Sequence, residues 1–328
     1  MNEVLKFLEE KRIFSLWHFT AISNLPYIFE HNGLRSKKYL EEKGILEKII
    51  TGGNELSHRL DKGLDNWDKI SLSFTPYTPM AYHKKQEQHL VFIEIDYTIC
   101  SKEKNIFTDC NANRLKNGQK RAEGIEGLKN IRWEYISSDP MPWDLEWQKY
   151  VQAEALIPDM IPIEKFKSIH FVSKASMDFG KYLCYEFSNY FSLFKVSPEI
   201  FQDYKKKEYK YKKTIIFPYI QKVFVSLEEI NSNNFDRMNN DSNFILKSKP
   251  FWIKIELFAL SGTKVDIKFL DIEENSLYTE SVSFKEENNW VWFPKIDFHK
   301  RISNNINIIF IEVWLENSKW FEKMVELK

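Results

Sequence analysis

The hydrophobic pattern of this 328-residue chain changes near residue 214, and that change restricts the folds available to it. Before residue 214, short alternating runs are interleaved with apolar residues at helical spacing. After it the period is two, and strand-like runs at 251–257, 265–269 and 306–314 are separated by turns rich in Asn and Ser. The pattern predicts an α+β domain followed by a small all-β, sandwich-like domain.

The length of the chain is sufficient for two ordinary domains, each with its own core. We place the first domain at residues 1–186, a linker at 187–213 and the β domain at 214–328. The linker contains a basic run interleaved with tyrosines at 205–213. A solvated linker explains this run, and the alternative is a segment that contacts phosphates and stacks on bases.

Charge and composition narrow the function classes. Lys+Arg and Asp+Glu both number 47, so any nucleic-acid-binding surface has to be local. The cysteines, Cys100, Cys110 and Cys184, lack metal-ligand spacing, which predicts free, mostly buried thiols in a reducing compartment. The histidines also lack such spacing, so we expect no metal. Without a signal peptide or an apolar run near ~18 residues, we expect a cytoplasmic protein with no membrane partner.

One carboxylate lies in an apolar, strand-like segment at residues 151–159. Glu154 is flanked by Ala153 and Ala155, and an acid among core residues is costly unless it has a partner or a task. Gln152 lies two positions earlier and would share the same strand face. Such a pair is suited to holding a ribose hydroxyl in place while positive charge develops on the neighbouring carbon. The alternative is an edge-strand glutamate that faces water.

Other candidate residues are dispersed along the chain. No Gly-x-Gly-x-x-Gly, P-loop or nucleophile-elbow sequence is present. What remains is a set of polar and large side chains before and within early strands, namely His18, Thr20, Arg59, Phe74, Met80 and Tyr82. Each has an ordinary explanation: His18 as a core histidine, Arg59 as an ion-pair partner of Asp61 or Asp65, and the others as core residues.

In their order along the chain, these segments resemble the DarT-type ADP-ribosyltransferases that modify bases in DNA. The resemblance covers roughly residues 13–174 and leaves the C-terminal third outside the family pattern. It depends on segments that follow one another at compatible spacing: His18–Thr20, Asn24–Ile28, Phe74–Tyr82, Phe107–Ala112, Trp133, Trp147 and Gln152–Asp159.

The resemblance implies a split-sheet fold with an NAD pocket between two small sheets and no metal. It implies that His18 binds an NAD ribose, that Thr20 fixes the nicotinamide amide or the adjoining ribose, and that Arg59 pairs with the pyrophosphate and assists catalysis. Phe74 and Tyr82 would enclose the nicotinamide ring, and Met80 would line the pocket. Glu154 would be the catalytic residue and Gln152 would help to hold the acceptor or the ribose.

The acceptor base has to be single-stranded or flipped out to reach such a pocket. Between residues 116 and 147 cations alternate with aromatic residues, which suits a strand bound through phosphates and stacking. The acceptor-binding candidates are Lys120, Arg121, Trp133, Trp147 and Gln152. The family suggests thymidine or guanosine in single-stranded DNA, and RNA stays open as an acceptor.

We therefore expect a toxin-like, NAD-dependent ADP-ribosyltransferase of phage defence or of a toxin–antitoxin pair, with a macrodomain antitoxin as partner. One alternative keeps the reaction but moves it to RNA or protein. The other is a non-catalytic binding module in which the β domain recognises a partner.

Overall fold

The structure is a computed structural model, and it describes residues 2–51, 55–113, 120–138, 141, 144–201, 203–204, 213–214, 217–297 and 306–328. The chain divides into two compact units. The first comprises residues 1–85, 90–171 and 183–215, and the second comprises 86–89, 172–182 and 216–328. The expected domains were each continuous in sequence, whereas in the structure two short segments, 86–89 and 172–182, belong to the same unit as the C-terminal strands.

The helices of the described residues are short, and polar side chains begin several of them. The Asn2 side chain accepts a hydrogen bond from the Val4 N–H at 3.0 Å, and the Asp144 side chain accepts one from the Glu146 N–H at 2.8 Å. The helices are α1 (Glu3–Glu10), α2 (Leu25–Glu30), α3 (Lys37–Glu42), α4 (Glu55–Gly63), α5 (Pro79–Glu87), α6 (Gly124–Asn130), α7 (Trp133–Ser137), α8 (Leu145–Tyr150) and α9 (Lys174–Leu183). No helix in the part of the chain that the structure describes is long and apolar enough to cross a membrane.

The first unit is built on a mixed sheet in the order β10-β9-β4-β1-β3-β7-β5-β6. Two further strand pairs, β2 with β8 and β11 with β12, lie outside it. The strands are β1 (Ser15–Ala21), β2 (Gly33–Arg35), β3 (Lys69–Ser73), β4 (Leu90–Asp96), β5 (Ile106–Thr108), β6 (Arg121–Glu123), β7 (Glu154–Pro158), β8 (Met160–Pro162), β9 (Phe166–Phe171), β10 (Phe194–Val196), β11 (Asp203–Tyr204) and β12 (Lys213–Thr214).

The sheet opens between β1 and β3. Strand β1 pairs with β4 along its whole length, from Ser15↔Asp96 to Ala21↔Leu90. Its pairing with β3 on the other side consists of the single register pair Trp17↔Ser73. The backbones of β1 and β3 therefore diverge beyond this point, and side chains from both strands can face one cleft.

Strand β10 lies within the segment that the sequence marked as a linker. Residues 194–196 pair in parallel with 169–171 of β9 and form the edge of the first sheet. The Phe194 ring packs against the Phe171 ring at a centroid distance of 4.8 Å, so the segment is anchored by apolar contact. Residues 205–212 of the basic run lie outside the described residues.

The second unit is rich in β structure, in agreement with the period of two after residue 214. Its sheets have the orders β13-β15-β18, with β19 also paired to β15, and β14-β21-β20-β16-β17. The Phe251 ring of one sheet meets the Phe269 ring of the other at 6.1 Å, as in a two-sheet core. The strands are β13 (Tyr219–Ser226), β14 (Phe244–Ile245), β15 (Phe251–Ala259), β16 (Lys264–Leu270), β17 (Ser276–Ser283), β18 (Asn288–Trp292), β19 (Lys295–Ile296), β20 (Ile308–Leu315) and β21 (Ser318–Leu327).

His89 explains why residues 86–89 and 172–182 belong to the second unit. Its buried ring stacks on Trp320 at 3.9 Å and on Phe179 at 6.0 Å. One ring nitrogen lies 2.6 Å from Ser176 Oγ and the other 3.2 Å from the Lys319 carbonyl oxygen. Burial lowers the pKa of His89 to about 4, so the ring is neutral near pH 7.

The three cysteines are buried and none of them is in a disulfide, as the sequence predicts. Burial raises the pKa of Cys100 and raises that of Cys184 to about 12, which keeps both as thiols.

Candidate active site

The first unit contains a cavity of about 440 Å³ where β1 and β3 diverge. Its wall is formed by β1 to β3, by the helices α3 to α5, by residues 111–113 and by the first residue of β7. Among the lining residues that carry polar or basic groups are His18, Thr20, Asn24, Arg35, Lys37, Asp61, Ser71 and Glu154.

His18 lies at the gap between the diverging strands. Its Nδ1 is 3.2 Å from the Ser71 carbonyl oxygen of β3, so the side chain joins the two strands where their backbones are no longer paired. A carbonyl only accepts, so Nδ1 carries the proton in the neutral ring and Nε2 is an acceptor. Burial lowers the pKa of His18, and the nearby Lys37 lowers it further, against the Ser71 hydrogen bond that raises it. The imidazole is therefore neutral near pH 7.

Glu154 begins β7, where it pairs with Ser73 of β3 and with Thr108 of β5. The half-buried side chain lines the cavity, and its Oε2 accepts a hydrogen bond from the Ala112 N–H at 2.8 Å. Burial raises the pKa of Glu154 to about 7, with a further contribution from the negative charge of Asp61. The Ala112 N–H and Lys37 act in the opposite direction. A carboxyl group that titrates near neutral pH is suited to proton transfer.

An ion pair lines the same cavity. Lys37 is the first residue of α3, and its Nζ lies 2.5 Å from Asp61 Oδ2 of α4. Both side chains are mostly enclosed, with 27% and 13% of their surfaces exposed. The pair influences both titrating residues of the cavity, since Lys37 lowers the pKa values of His18 and Glu154 while Asp61 raises that of Glu154.

Of the residues that sequence reasoning singled out, four line the cavity. They are His18, Thr20, Met80 and Glu154. The structure thus brings together residues that are separated by up to 136 positions, because β1 and β7 both border β3.

Arg59 and Tyr82 lie on helices that contribute to the cavity, but on other faces of those helices. Ser57 and Asp61 of α4 line the cavity, and Arg59, two positions from each, is exposed. Likewise Met80 and Lys84 of α5 line it, while the Tyr82 ring packs edge-on against His83 at 5.4 Å. A helix turns about 100° per residue, so a shift of two positions points a side chain roughly the opposite way.

Phe74 is a core residue in this structure. It follows β3, is 4% exposed, and packs on Trp133 at 5.2 Å and on Phe107 at 6.4 Å. Ser73, the residue before it, lines the cavity. Successive side chains of an extended segment point to opposite faces, so Phe74 is directed into the core rather than towards a nicotinamide ring.

The expectation that Gln152 shares a strand face with Glu154 is wrong. Strand β7 begins at Glu154, and Gln152 lies in the turn after α8. Its Nε2 donates to the Gln148 carbonyl oxygen at 2.6 Å, one helical turn back. The local helix, which the alternating apolar pattern concealed, decides the direction of this side chain.

The acceptor-side candidates are spread over the surface and interior of the first unit. Trp147 is 4% exposed, and Trp133 is half-buried with its Nε1 donating to the Leu128 carbonyl oxygen. Arg121 donates to the Leu64 carbonyl oxygen at 2.8 Å, while Lys120 is exposed. None of these residues is part of the cavity wall as described. Lys116 and Trp143, which belong to the same expected surface, lie outside the described residues.

Two further residues of the cavity wall, one at the start of α3 and one in the turn before α2, had no role assigned from the sequence. Lys37 and Asn24 both line it, and Asp61 had been considered only as a partner of Arg59. Ser36, which caps α3 through the Tyr39 N–H, is the local signal that could have placed Lys37 in a first helical turn. Among the described residues, no group of three or more His, Cys, Asp or Glu side chains is arranged to hold a metal.

A family model described as "ssDNA thymidine ADP-ribosyltransferase, DarT" matches residues 17–185, just over half of the chain. The chain belongs to the DarT family. The match contains most of β1, both sides of the opening in the sheet, and Glu154, so the cavity described above lies within the DarT region. The C-terminal strands lie outside it.

A curated relative from Thermosipho africanus is described as a "DNA ADP-ribosyl transferase-DNA ADP-ribosyl glycohydrolase fusion protein". It is 26% identical over 170 residues, which are 48% of this chain and 42% of the relative. The match therefore spans less than half the length of that relative.

Two solved structures are similar to the chain. The Thermosipho africanus DarTG in complex with ADP-ribose is 20% identical, with a TM-score of 0.47, and the similarity covers 57% of this chain and 51% of the other. The Thermus sp. 2.9 DarT in complex with ADP-ribosylated single-stranded DNA is 14% identical, with a TM-score of 0.45 and coverage of 58% and 96%.

Proposed function

We propose that this DarT family member transfers ADP-ribose from NAD to a base in single-stranded DNA, with thymidine as the first choice of base and guanosine as the alternative. The observation that carries the proposal is that Glu154, with its pKa raised to about 7, lines the same cavity as His18, Thr20 and Lys37. The description of the family supports the choice of DNA and of thymidine.

The cavity offers what an NAD donor requires. Its volume lies within the range of small-molecule sites, and part of its wall is basic. Lys37 and Arg35 line it, so we assign the diphosphate to these two cations rather than to Arg59. Arg35 is held by a hydrogen bond from its Nε to the His31 carbonyl oxygen at 3.0 Å.

His18 and Glu154 act on the ribose in different ways: His18 binds a hydroxyl group and Glu154 stabilises positive charge. With its Nδ1 proton committed to Ser71, His18 presents Nε2 as an acceptor for a ribose hydroxyl. The bond between the ribose carbon and the nicotinamide nitrogen breaks, its electron pair leaves with neutral nicotinamide, and positive charge develops on the ribose. The ionised Glu154 stabilises that charge, which grows only in the transition state.

The acceptor step also needs a base. A ring nitrogen of the acceptor attacks the ribose carbon and forms the new bond, and the proton that it loses is taken by the Glu154 carboxylate. A residue with a pKa of about 7 can release this proton to water between turnovers.

For the biological role we propose a toxin-like enzyme of a toxin–antitoxin pair or of phage defence, opposed by a macrodomain partner that removes the modification. The name of the Thermosipho relative, in which a transferase is fused to a glycohydrolase, supports this pairing.

The test is mass spectrometry of single-stranded oligonucleotides after incubation with the full chain and NAD. The set contains DNA with one type of base replaced at a time, the matching RNA and a protein pool. We expect an ADP-ribose adduct on DNA that disappears with the thymidines. Glu154→Gln should reduce the yield about 10²- to 10⁴-fold, which is the range of a general base. The exposed Glu164→Gln is the matched control and should leave the yield unchanged. Modification confined to RNA or protein, or an unaffected Glu154→Gln variant, would contradict the proposal.

A further inference from the structure

Asn24 connects the strand β1 to the backbone of Ile50, which also lines the cavity. It is 6% exposed, it ends a short 3-10 turn before α2, and its side chain does not cap that helix. Instead its Nδ2 donates to the Ile50 carbonyl oxygen at 2.7 Å, and its Oδ1 accepts from the Ile50 N–H at 3.0 Å. Its Nδ2 also donates to Thr20 Oγ1 at 2.9 Å.

The contact with Ile50 fixes which end of the Asn24 amide is which. A backbone N–H can only donate and a backbone carbonyl can only accept, so Oδ1 has to face the first and Nδ2 the second. A flipped amide would place two acceptors together and two donors together. The remaining Nδ2 proton is therefore the one directed at Thr20.

This geometry sets the direction of the Thr20 hydroxyl. Because Oγ1 accepts from Asn24, its own single proton points elsewhere. Within the described residues no other partner of the Thr20 side chain is found, and Thr20 lines the cavity. The hydroxyl is thus prepared to donate a hydrogen bond into the cavity.

We propose that Asn24 is a positioning residue that makes Thr20 a hydrogen-bond donor towards the bound substrate, so that the site selects a ligand with an acceptor oxygen at this point. The inference depends on the proposed function, since the ligand is NAD. The hydrogen-bond acceptor is either the carboxamide oxygen of its nicotinamide or an oxygen of its ADP-ribose part. The Thr20 hydroxyl would donate the same kind of hydrogen bond to either oxygen.

Substitution of Asn24 by aspartate tests the direction of the bond. Aspartate keeps the acceptor for the Ile50 N–H but has no proton to give, so the Thr20 proton would turn to Asp and away from the cavity. Thr20→Val removes the hydroxyl at nearly constant shape. If Asn24 acts through Thr20, the effect of its substitution has to shrink once the hydroxyl is gone.

The experiment is a double-mutant cycle measured by calorimetric binding of NAD and of ADP-ribose. We expect Asn24→Asp and Thr20→Val each to weaken NAD binding about 5- to 20-fold, the effect of one polar hydrogen bond. The double variant should bind at least threefold better than the product of the two single losses requires. The cycle cancels the added charge and any loosening around Ile50, because both affect the single and the double variant alike. Asn130→Asp, which adds the same charge on α6, is the matched control.

The comparison of NAD with ADP-ribose identifies which part of NAD carries the oxygen that Thr20 binds. A loss seen with NAD but not with ADP-ribose assigns Thr20 to the carboxamide, and an equal loss with both assigns it to the ADP-ribose part. Strictly multiplicative losses in the double variant, with wild type binding NAD, would overturn the role of Asn24 alone. Wild type that binds neither ligand would instead overturn the proposed function.

Discussion

At the scale of the residue, the environment of Glu154 matters more than its identity. Glu154 lines the cavity, and there burial and the negative charge of Asp61 both oppose its ionisation. The environment of His18 acts in the complementary direction, because burial and Lys37 keep its imidazole neutral. The two side chains therefore differ in role: His18 is a fixed acceptor and Glu154 is a titrating acid.

We expect the transfer rate to follow the ionisation of Glu154. Since its pKa is raised to about 7, the free enzyme is mostly protonated at pH 6 and mostly ionised at pH 8, so kcat/KM for NAD should increase about tenfold per pH unit below pH 7 and level off above it. Initial rates between pH 5.5 and 9 measure this. The residual activity of Glu154→Gln should not show the same rise, and a wild-type profile that is flat across pH 7 would contradict the assignment.

The same titration affects stability. A carboxyl whose pKa is about 7 when folded and about 4.5 when unfolded makes the protein less stable as the pH increases from 4.5 to 7. Glu154→Gln removes this effect, so it should raise the melting temperature at pH 8 by roughly 3 °C or more and change it little at pH 4.5. Thermal denaturation at both pH values measures the difference. A variant that melts below wild type at pH 8 would show that the carboxylate is well solvated.

At the scale of the element, one face of each helix decides which residues reach the cavity. On α4 and α5 the cavity side is given by Asp61 and Met80, and residues two positions away point elsewhere. Lys37 reaches the cavity because it starts α3 after the cap at Ser36, and the ion pair with Asp61 fixes its ammonium there.

We expect Lys37→Met to raise the KM for NAD or the Kd for ADP-ribose about tenfold or more, because a mostly enclosed cation is lost from the diphosphate region. Lys38→Met is the matched control: Lys38 is the next residue, is exposed, and should leave both constants unchanged. Steady-state kinetics and calorimetry with ADP-ribose measure the effects. Equal effects of the two substitutions would point to general charge rather than to a specific contact.

At the scale of the whole molecule, the second unit is assembled from three parts of the chain. His89 and Phe179 come from before residue 183, and Trp320 comes from the last strand, yet the three rings stack together. Cutting the chain at the change of period near residue 214 would therefore separate His89 from the Trp320 ring that covers it.

We expect Trp320→Ala to destabilise the protein by about 3–5 kcal/mol, because it leaves a void beside a buried histidine. It should also move the pKa of His89 from about 4 back towards 6.5. In wild type, the neutral His89 contributes stability that is lost as the pH falls from 6.5 to 4, and the variant should lose less over that interval. Denaturant unfolding at pH 7 and pH 4.5 measures both effects. Trp314→Ala, on the neighbouring strand and half-buried, should cost clearly less.

Local sequence pattern was sufficient for many elements of this fold. The alternation around residues 251–257, 265–269 and 306–314 predicted β15, β16 and β20, because side chains of a strand alternate between two faces wherever the strand lies. The same local reasoning identified Glu154 as a carboxylate among core residues, which is costly to bury unless it has a partner or a function. The order of the segments indicated the DarT family, which the family model confirms.

The tertiary structure decided how the cavity forms and which of the candidate residues face it. The sheet opens because β1 and β3 share a single register pair, and nothing in the local sequence of either strand predicts that divergence. The rotation of α4 and α5 excludes Arg59 and Tyr82, while Lys37 and Asn24, which had no role assigned from the sequence, also line the cavity. Periodicity records which side of an element is buried, but the partner that the other side meets depends on chain segments more than a hundred residues away.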